Sequence, residues 1–466
     1  MSWEPVIGLE IHFHLKTRTK MFCRCATGFG DPENTRTCPV CLAFPGALPV
    51  PNRTAVEWTI KLGLALDCAI AGRAVFHRKH YWYPDLAKGF QISQYDEPLC
   101  AGGRFLVPGA EGDLEVGIVR AHLEEDAAKT VHVGGGTGRK VGSERSLVDF
   151  NRGGTPLVEI VTQPDLRSAD DARRFLQLLR QTVVELGISD AEMEKGTMRV
   201  DANVSVRPAG SNELRTRWEL KNMNSFSFIG RGIDAAVRAQ VTAYERGDEI
   251  AQQTYDYDAD TDRLTPHRSK EVAEDYRYFP EPDLVPLEPD PELVEQLRAE
   301  LPERPGDRIG RLAAEVGFET AWELVATGRE IDYSGLVAEG VDARVAANAA
   351  RNEIAAAGIT VMSYRELARV VKARDRLPRS TYLEAVAATG TGGSADEYLA
   401  QQAIADTSEL APLVERILAA NPGQVEAFRG GKQGLLGFFV GQVMKETQGK
   451  ADPKVVNELV REKLTA

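Results

Sequence analysis

The sequence has no long apolar run. A helix needs about eighteen consecutive apolar residues to cross a bilayer, and no uncharged window of this chain is that long. The opening residues lead directly into a strand-like pattern, without the basic segment and apolar stretch of a secretory leader. We therefore expect a cytoplasmic protein with no membrane partner.

The sequence also lacks an excess of positive charge. The 466 residues include 56 lysines and arginines against 69 aspartates and glutamates, a net charge of −13. Binding to nucleic acid depends on local neutralisation of phosphates by lysine and arginine. The overall charge therefore argues against a protein that coats polyanions, and any nucleic acid must meet a local basic patch. The hydrophobic share of 43% and the charged share of 27% are those of an ordinary globular protein.

Cysteine is rare but grouped. Four of the six cysteines form two close pairs, Cys23-x-Cys25 and Cys38-x-x-Cys41, with twelve residues between the pairs. In a chain without a leader, this spacing favours tetrahedral thiolate coordination of zinc over disulfides. Four thiolates leave no open position, so we predict a structural zinc in a module spanning residues 20–45. Cys68 and Cys100 are expected to be small buried hydrophobic residues.

Residues 6 to 15 alternate strictly between apolar and polar or small side chains. This pattern predicts a half-buried strand whose polar face carries Glu10 and His12 side by side. A strand edge facing solvent is the alternative. Both side chains can bind a metal ion.

Three consecutive carboxylates follow a histidine in Ala121-His-Leu-Glu-Glu-Asp126. Like charges so close together need water or a cation to compensate them, so the stretch is either half of a metal site or an acidic loop in water. In an extended strand Glu124 and Glu125 point to opposite faces, and only one of them is expected to bind the ion unless a bulge intervenes.

Cations and aromatic residues cluster in other segments. The stretch His77-Arg-Lys-His-Tyr-Trp-Tyr-Pro-Asp85, followed by Lys88, suits a site that grips phosphate and stacks a base, although the aromatic residues could equally belong to a core. A turn rich in backbone donors contains Arg152. Two alternating segments predict paired strands, with Arg199 and Asp201 on one and Glu219 and Lys221 on the other. The run Gly134–Lys140 lacks the spacing of a phosphate-binding loop and is interpreted as a hairpin tip.

Taken together, the ordered motifs resemble the B subunits of the aspartyl/glutamyl-tRNA amidotransferases. The resemblance covers nearly all of residues 6 to 286 and is carried by Val6–His12, Arg78-Lys79 with Tyr83–Asp85, His122–Asp126, Asn151-Arg152 with Pro156-Leu157, Arg199 with Asp201–Ser205, Glu219–Asn222 with Asn224–Phe226, and Asp275–Leu284. It weakens over residues 295 to 400 and returns in Arg429–Lys432, Gly437–Lys445 and Gly449–Pro453.

The resemblance implies an ATP-dependent ligase that converts Glu-tRNA(Gln) or Asp-tRNA(Asn) into Gln-tRNA(Gln) or Asn-tRNA(Asn). Such an enzyme phosphorylates the side-chain carboxylate of the misacylated amino acid, and ammonia then displaces the phosphate. This chemistry needs magnesium, cations near the transferred phosphate and exclusion of water. The expected magnesium ligands are Glu10, His12, Glu125, Asp201 and Glu219, with Glu125 preferred to Glu124 because the family resemblance favours it. The expected ATP and phosphate contacts are Lys79, Tyr81, Lys88, Arg152, Arg199 and Lys221, and the expected catalytic residues are Glu10, His12, Glu125 and Lys79.

The source of ammonia must be another chain, because neither a Ser-Ser-Lys amidase pattern nor a Cys/His glutaminase arrangement is evident in this sequence. The resemblance implies a heterotrimer with a glutaminase A subunit of the amidase family and a small C subunit. A non-discriminating aminoacyl-tRNA synthetase is a further candidate partner. A non-enzymatic tRNA-binding scaffold with a structural cation is the alternative. ATP hydrolysis stimulated by misacylated tRNA separates the two.

The expected fold class is α+β. We predict a cradle domain with a mixed or antiparallel sheet and the zinc module at residues 1–290, an all-helical domain at 291–405 and a small helical tail domain at 406–466. A proline-rich stretch at 280–291 marks the first boundary. Residues 421–466 contain seven lysines and arginines against five acidic residues, a net charge of +2. That sign suits contact with tRNA, for which Lys432, Lys445 and Lys450 are the candidates.

Overall fold

The computed structural model describes residues 2–134, 142–266, 276–401 and 406–465. The chain divides into two compact units, Met1–Arg308 and Ile309–Ala466. Among the described helices, none combines the length and apolar character required to cross a bilayer.

The first unit contains the strands. Their bounds are β1 Trp3–His14, β2 Ala69–Ile70, β3 His77–His80, β4 Phe90–Ser93, β5 Cys100–Val107, β6 Leu114–Glu125, β7 Lys129–Val133, β8 Arg145–Asp149, β9 Pro156–Thr162, β10 Met198–Pro208, β11 Trp218–Lys221, β12 Gln253–Asp258, β13 Arg263–Pro266 and β14 Phe279–Pro280. Nine of these form one mixed sheet in the order β13-β12-β11-β10-β1-β9-β6-β5-β2. Within the described residues, β14-β3-β4 and β7-β8 form two smaller sheets.

The helices of the first unit begin where the sequence supplies capping side chains. They are α1 Arg53–Ala65, α2 Ala169–Glu185, α3 Phe226–Arg246 and α4 Pro291–Ala299, and α5 Pro305–Val316 continues into the second unit. The Ser168 side chain accepts a hydrogen bond from the Asp171 amide at the start of α2, as a serine at the N-cap position does. Gly247 ends α3 in the left-handed conformation, with φ 82°, which glycine adopts without strain.

Strand β1 lies inside the large sheet, between β9 and β10. Its apolar face is buried, with Ile7, Leu9, Ile11 and Phe13 all at 0 or 1% exposure, while Glu10 and His12 are half-buried. The predicted alternation is therefore confirmed. Since β1 has a neighbour on each side, its polar face meets side chains from both of them.

A β-bulge in β6 changes which of its residues share that polar face. Ile118 pairs with Thr162 of β9, but Arg120 pairs with Val161, so β6 advances two residues while β9 advances one. The extra residue reverses the alternation of the side chains that follow it. Val116 and Ile118, which precede the bulge, point to the apolar face of the sheet. Without the bulge Glu124 would point to that face as well. Because of the bulge, Glu124 lies on the opposite, polar face.

The second unit is helical. Its remaining helices are α6 Phe318–Ala326, α7 Glu330–Ala338, α8 Ala343–Asn348, α9 Ala355–Ala357, α10 Tyr364–Lys372, α11 Arg379–Gly390, α12 Asp396–Leu399, α13 Thr407–Ala420, α14 Pro422–Arg429, α15 Leu435–Glu446 and α16 Pro453–Thr465, with a π-helical turn at Ala349–Ile354. The last four helices share a hydrophobic core that includes Phe428, Phe439 and Val460.

The mixed α and β content with one large mixed sheet confirms the coarse fold prediction. The predicted boundary at residue 290 falls inside the first compact unit, and the predicted tail at 406–466 falls inside the second. The three-domain division remains a prediction. The predicted hairpin tip Gly134–Lys140 lies almost wholly outside the described residues, but β7 and β8 on either side of it pair antiparallel. Of the two predicted paired strands, the one that carries Glu219 and Lys221 is short and spans only Trp218–Lys221.

Candidate metal and nucleotide site

The polar face of β1 is continued on both sides by its neighbours. His12 pairs with Glu159 of β9 and with Arg199 of β10. Glu10 pairs with Asp201, and His122 of β6 pairs with Glu159 from the other side. Residues that are paired across strands point to the same face. The sheet therefore assembles a continuous band of ionisable side chains from β6, β9, β1 and β10.

His12 lies at the centre of this band. Its Nε2 atom is 3.3 Å from Glu159 Oε2, 3.9 Å from Glu10 Oε1 and 3.9 Å from Glu124 Oε2. Glu10, His12 and Glu159 form one group with metal-ligand spacing, and His122, Glu124 and Glu159 form another. In each group the candidate ligand atoms all lie within 4.8 Å of one another. An octahedral ion bound at about 2.1 Å places its ligand atoms about 3.0 to 4.2 Å apart, so these donors fit a hard divalent cation.

The charges in the band are strongly coupled. Burial lowers the pKa of His12, but the hydrogen bond and negative charge of Glu159, helped by Glu124 and Glu10, raise it to about 9. Burial, and then the charge of Glu159, raise the pKa of Glu10. Without a metal ion, His12 is thus the cation that compensates the carboxylates.

Glu124, rather than Glu125, reaches this band. Glu124 Oε1 is 3.3 Å from His122 Nε2 and 2.7 Å from the Ser93 hydroxyl, which donates to it. Burial opposes ionisation of Glu124, but the hydrogen bond from His122 and the charge of Lys79 hold its pKa well below the usual range. Glu124 thus shares the polar face with His12 and Glu125 does not, and the bulge at Ile118/Arg120 is the physical reason. Which of the two carboxylates binds magnesium stays a prediction.

Glu125 contacts a different part of the protein. One of its oxygens accepts the Ile92 amide proton at 3.0 Å, and its carboxylate forms an ion pair with Lys88. Both side chains line a cavity of ≈ 210 Å³ beside the cysteine module, together with Lys20 and Arg78. The structure therefore places Lys88 with Glu125 rather than with the carboxylates around His12.

Lys79 approaches the band from β3, where it is surrounded by tyrosines. Its Nζ atom is 5.0 Å from the centre of the Tyr276 ring. Burial alone would lower the pKa of Lys79, but Glu124, Tyr278 and Glu159 outweigh it and raise the pKa. Tyr81 stacks edge-on against Tyr276 with ring centres 6.3 Å apart. Lys79 is thus a permanently charged ammonium next to the buried carboxylates.

Asp201, Glu219 and Lys221 meet at the β10 side of the band. The Lys221 ammonium forms an ion pair with Asp201 and lies 3.2 Å from Glu219 Oε1. Burial lowers the pKa of Lys221, but Asp201 and Glu219 raise it overall. The structure therefore brings these three predicted residues together, next to Glu10.

Arg152 and Arg199 converge on one buried carboxylate, Asp126. Arg152 Nε is 3.2 Å from Asp126 Oδ2, and Arg199 forms an ion pair with the same oxygen. His14 Nε2 lies 2.8 Å from that oxygen as well. Two guanidinium groups share one carboxylate, and their side chains remain 35% and 41% exposed. Both guanidinium groups therefore remain accessible to an anion.

The four predicted zinc ligands form one group in the first unit. Their Sγ atoms all lie within 4.8 Å of one another, and the Sγ atoms of Cys38 and Cys41 are 3.8 Å apart. A tetrahedral zinc with Zn–S bonds of about 2.3 Å has sulfur–sulfur edges of about 3.8 Å. The quartet can therefore hold a metal ion. Cys68 and Cys100 are buried, as predicted.

Comparison with known proteins identifies the family. The profile described as "GatB/GatE catalytic domain" matches residues 5–295, and the profile described as "GatB domain" matches residues 336–464. The chain belongs to the GatB/GatE family.

Full-length relatives agree with this assignment. The B subunit of the aspartyl/glutamyl-tRNA(Asn/Gln) amidotransferase of Syntrophotalea carbinolica is 44% identical over 483 residues, which cover 99% of each chain. The proteins of the same name from Chlorobium phaeobacteroides and Salinispora arenicola are each 45% identical, and the matches cover 100% of this chain and 100% and 97% of theirs. The resemblance inferred from the motifs is thereby confirmed, and a non-enzymatic scaffold is not favoured.

The GatB/GatE catalytic-domain match includes all the ionisable residues of the polar band. The predicted tRNA contacts lie in the separate GatB-domain match, where Lys432, Lys445 and Lys450 are all exposed.

Sequence reasoning missed several residues of this site. Glu159, His122 and Asp126 were not among the predicted site residues, and Tyr276 and Tyr278 were not expected beside Lys79. Glu159 had a signal, because it is the single charge in the buried strand β9, Pro156–Thr162. An isolated carboxylate in a strand that is otherwise apolar rarely persists without a partner.

Proposed function

We propose that this chain is the component of a tRNA-dependent amidotransferase that activates the misacylated amino acid. It uses ATP to phosphorylate the side-chain carboxylate of Glu-tRNA(Gln) or Asp-tRNA(Asn). A carboxylate oxygen attacks the γ-phosphorus and ADP leaves. Ammonia then attacks the acyl carbon and inorganic phosphate leaves, giving Gln-tRNA(Gln) or Asn-tRNA(Asn). The names of the full-length relatives support this reaction.

The observation that carries the proposal is the polar band around His12. The three carboxylates of Glu10, Glu124 and Glu159 and the imidazoles of His12 and His122 lie beside the ammonium groups of Lys79 and Lys221. We propose Glu10, His12, Glu124 and Glu159 as magnesium ligands, with Asp201 and Glu219 next to them. When bound there, magnesium would supply positive charge that compensates the negative charge developing during phosphate transfer.

His122 orients one of these ligands. Arg120 Nε donates a hydrogen bond to His122 Nδ1 at 3.3 Å, which requires that nitrogen to be unprotonated. The Nε2 atom of His122 then carries the proton and donates to Glu124. This contact fixes the position and ionisation of the Glu124 carboxylate before substrate arrives.

The cations divide into two groups by their position. Lys79 and Lys221 border the carboxylate band, where they would bind and orient the transferred phosphate. Arg152 and Arg199 share Asp126 and remain partly exposed, so they would contact a second phosphate oxygen. Tyr81, Tyr276 and Tyr278 surround Lys79 with rings that can stack a base and exclude water.

The rest of the assembly is proposed from the family. Ammonia would come from a glutaminase A subunit in a heterotrimer that also contains a small C subunit. The exposed lysines of residues 421–466 would contact tRNA. The cysteine quartet would hold a structural zinc, and four reduced thiols suit the cytoplasm.

A pair of adjacent substitutions tests the site. Glu124→Gln should reduce the rate of phosphorylation, measured as ADP release stimulated by misacylated tRNA in the complete enzyme, by roughly 10²-fold or more. Glu125→Gln is the matched control, because it removes the same charge from a buried neighbour on the other face. Its effect should be at least roughly tenfold smaller, because Glu125 pairs with Lys88 outside the band.

The reverse order of effects would assign the metal to Glu125 and contradict our ligand set. Parent rates in both variants would show that the polar band takes no part in the chemistry. Zinc content and thermal stability should be measured alongside, so that a folding defect is recognised.

A further inference from the structure

The loop between the two cysteine pairs is bonded to the segment that carries Arg152. We call residues 148–154 the arginine turn. Asn34, in the middle of the cysteine loop, accepts a hydrogen bond from the Phe150 amide at 2.8 Å and donates one from Nδ2 to the Val148 carbonyl at 3.2 Å. Its own amide donates to Asp149 Oδ1 at 3.0 Å. One residue of the cysteine module therefore contacts three consecutive residues of the turn.

Asn151 makes the reciprocal contacts from inside the turn. Its Nδ2 atom donates to the Pro32 carbonyl at 2.8 Å, and its Oδ1 atom accepts the Arg36 amide proton at 2.7 Å. Asn151 is buried, with 8% exposure. Buried hydrogen bonds of this kind fix the relative position of two segments, because breaking them leaves polar groups without partners.

Lys20 links the turn to the thiolates themselves. Its buried ammonium donates to the Phe150 carbonyl at 2.9 Å and lies 3.7 Å from Cys41 Sγ. The next residue, Met21, donates its amide proton to the Gly154 carbonyl at 2.7 Å. The arginine turn is therefore held by residues that precede the cysteine quartet as well as by residues between its two pairs.

The arginine turn also sets the position of the Arg152 guanidinium. Arg152 Nε donates to the Ala127 carbonyl and Nη2 to the Ala128 carbonyl, both at 2.9 Å. These contacts place the side chain against Asp126. A displacement of the turn would move the guanidinium away from these fixed acceptors.

We infer that the cysteine module is a positioning device for the phosphate site and not only a locally folded unit: Asn34 and Asn151 align the arginine turn so that Arg152 meets a nucleotide phosphate. This inference rests on the proposed function, in which Arg152 binds phosphate. It assigns the module a consequence for nucleotide binding that a closed structural zinc site does not by itself have.

The test uses Asn34→Gly in the full chain. Asn34 has φ 59°, which glycine adopts readily, so the substitution removes both side-chain hydrogen bonds without straining the backbone. The affinity for a non-hydrolysable ATP analogue, measured by calorimetry with magnesium present, should fall roughly three- to tenfold. Zinc content should stay at the parent value. Asn34→Asp keeps the acceptor for the Phe150 amide and should restore part of the affinity.

Thr35→Ala is the matched control, because the Thr35 hydroxyl donates only within the module, to the Pro32 carbonyl. It should bind the analogue as the parent does. Parent affinity in Asn34→Gly, combined with weakened binding in Arg152→Ala, would overturn the positioning role while leaving the phosphate role of Arg152 intact. Parent affinity in Arg152→Ala would instead refute the proposed function of that arginine, and the inference would fall with it. Loss of zinc from Asn34→Gly would attribute any effect to collapse of the module and also overturn the inference.

Discussion

Replacing Asp126 by asparagine should destabilise the first unit and disturb its phosphate site together. The Asp126 carboxylate is 4% exposed and faces Arg152, Arg199 and His14. Asparagine has nearly the same shape but carries no charge. The substitution therefore leaves two guanidinium groups facing each other without the anion between them.

The size of the effect follows from the exposure of the partners. Breaking a buried ion pair by removing one member costs about 3 to 5 kcal/mol. Water reaches both arginines, whose side chains are 35% and 41% exposed, and compensates part of that loss. We expect the free energy of unfolding of the first unit to fall by about 2 to 3 kcal/mol. Urea denaturation at pH 7, followed by circular dichroism, measures it.

The difference in unfolding free energy between the parent and Asp126→Asn should change with pH in a defined direction. Burial raises the pKa of Asp126, but the hydrogen bond to His14 and the charges of Arg199 and Arg152 outweigh it, so the folded-state pKa lies well below the usual range. A depressed carboxyl pKa contributes stability that is present above the unfolded pKa of about 3.9 and is lost as the pH falls through the folded value. The difference in unfolding free energy between the parent and Asp126→Asn should therefore shrink as the pH falls below about 4.

A suitable control is Asp67→Asn, because Asp67 pairs with Arg104 at 2.7 Å on the surface, where their side chains are 50% and 64% exposed. Water screens such an exposed pair, so its loss should change the stability far less. Equal losses in the two variants, or a gap for Asp126→Asn that widens towards acid pH, would refute the reasoning.

Three further predictions concern the metals and the tail. Pure protein should contain one zinc per chain, and replacing the cysteine quartet by serine should destabilise residues 16–50; a zinc-free preparation of normal stability would contradict this. Magnesium binding should release about one proton at pH 7 to 8, because the raised pKa of His12 keeps it protonated until a metal replaces the proton. Calorimetry in buffers of different ionisation enthalpy measures this proton release. The His12→Gln substitution should abolish it. Deleting residues 421–466 should raise the KM for charged tRNA and leave tRNA-independent glutamine hydrolysis by the complete enzyme intact; loss of both activities would show that the tail serves the whole assembly.

Local patterns in the sequence were sufficient for several features. Cysteine spacing identified the quartet because its four members lie within nineteen residues of one another, where the chain itself limits their separation. Alternation placed Glu10 and His12 on one face because the side-chain period of a strand is a property of the backbone. Ser168 marks the start of α2 in the sequence itself, because its side chain caps the helix.

Other features depended on how distant segments pair. Glu159 enters the site only because β9 lies next to β1 in the sheet, at a register that sets it opposite His12. The pairing of Arg152 and Arg199 with Asp126 joins three segments that no local pattern connects. Long-range register is set by packing of the whole sheet, so a single sequence contains little direct record of it.

The choice between Glu124 and Glu125 shows where that limit lies. Alternation determined that only one of the two carboxylates could share a face with His12, and the sequence alone determined that much. The bulge between Ile118 and Arg120 decided which one, since a single extra residue exchanges the two faces of everything that follows it in the strand. That extra residue is recognisable only against the partner strand β9, because a bulge is a mismatch between two strands and not a property of either one.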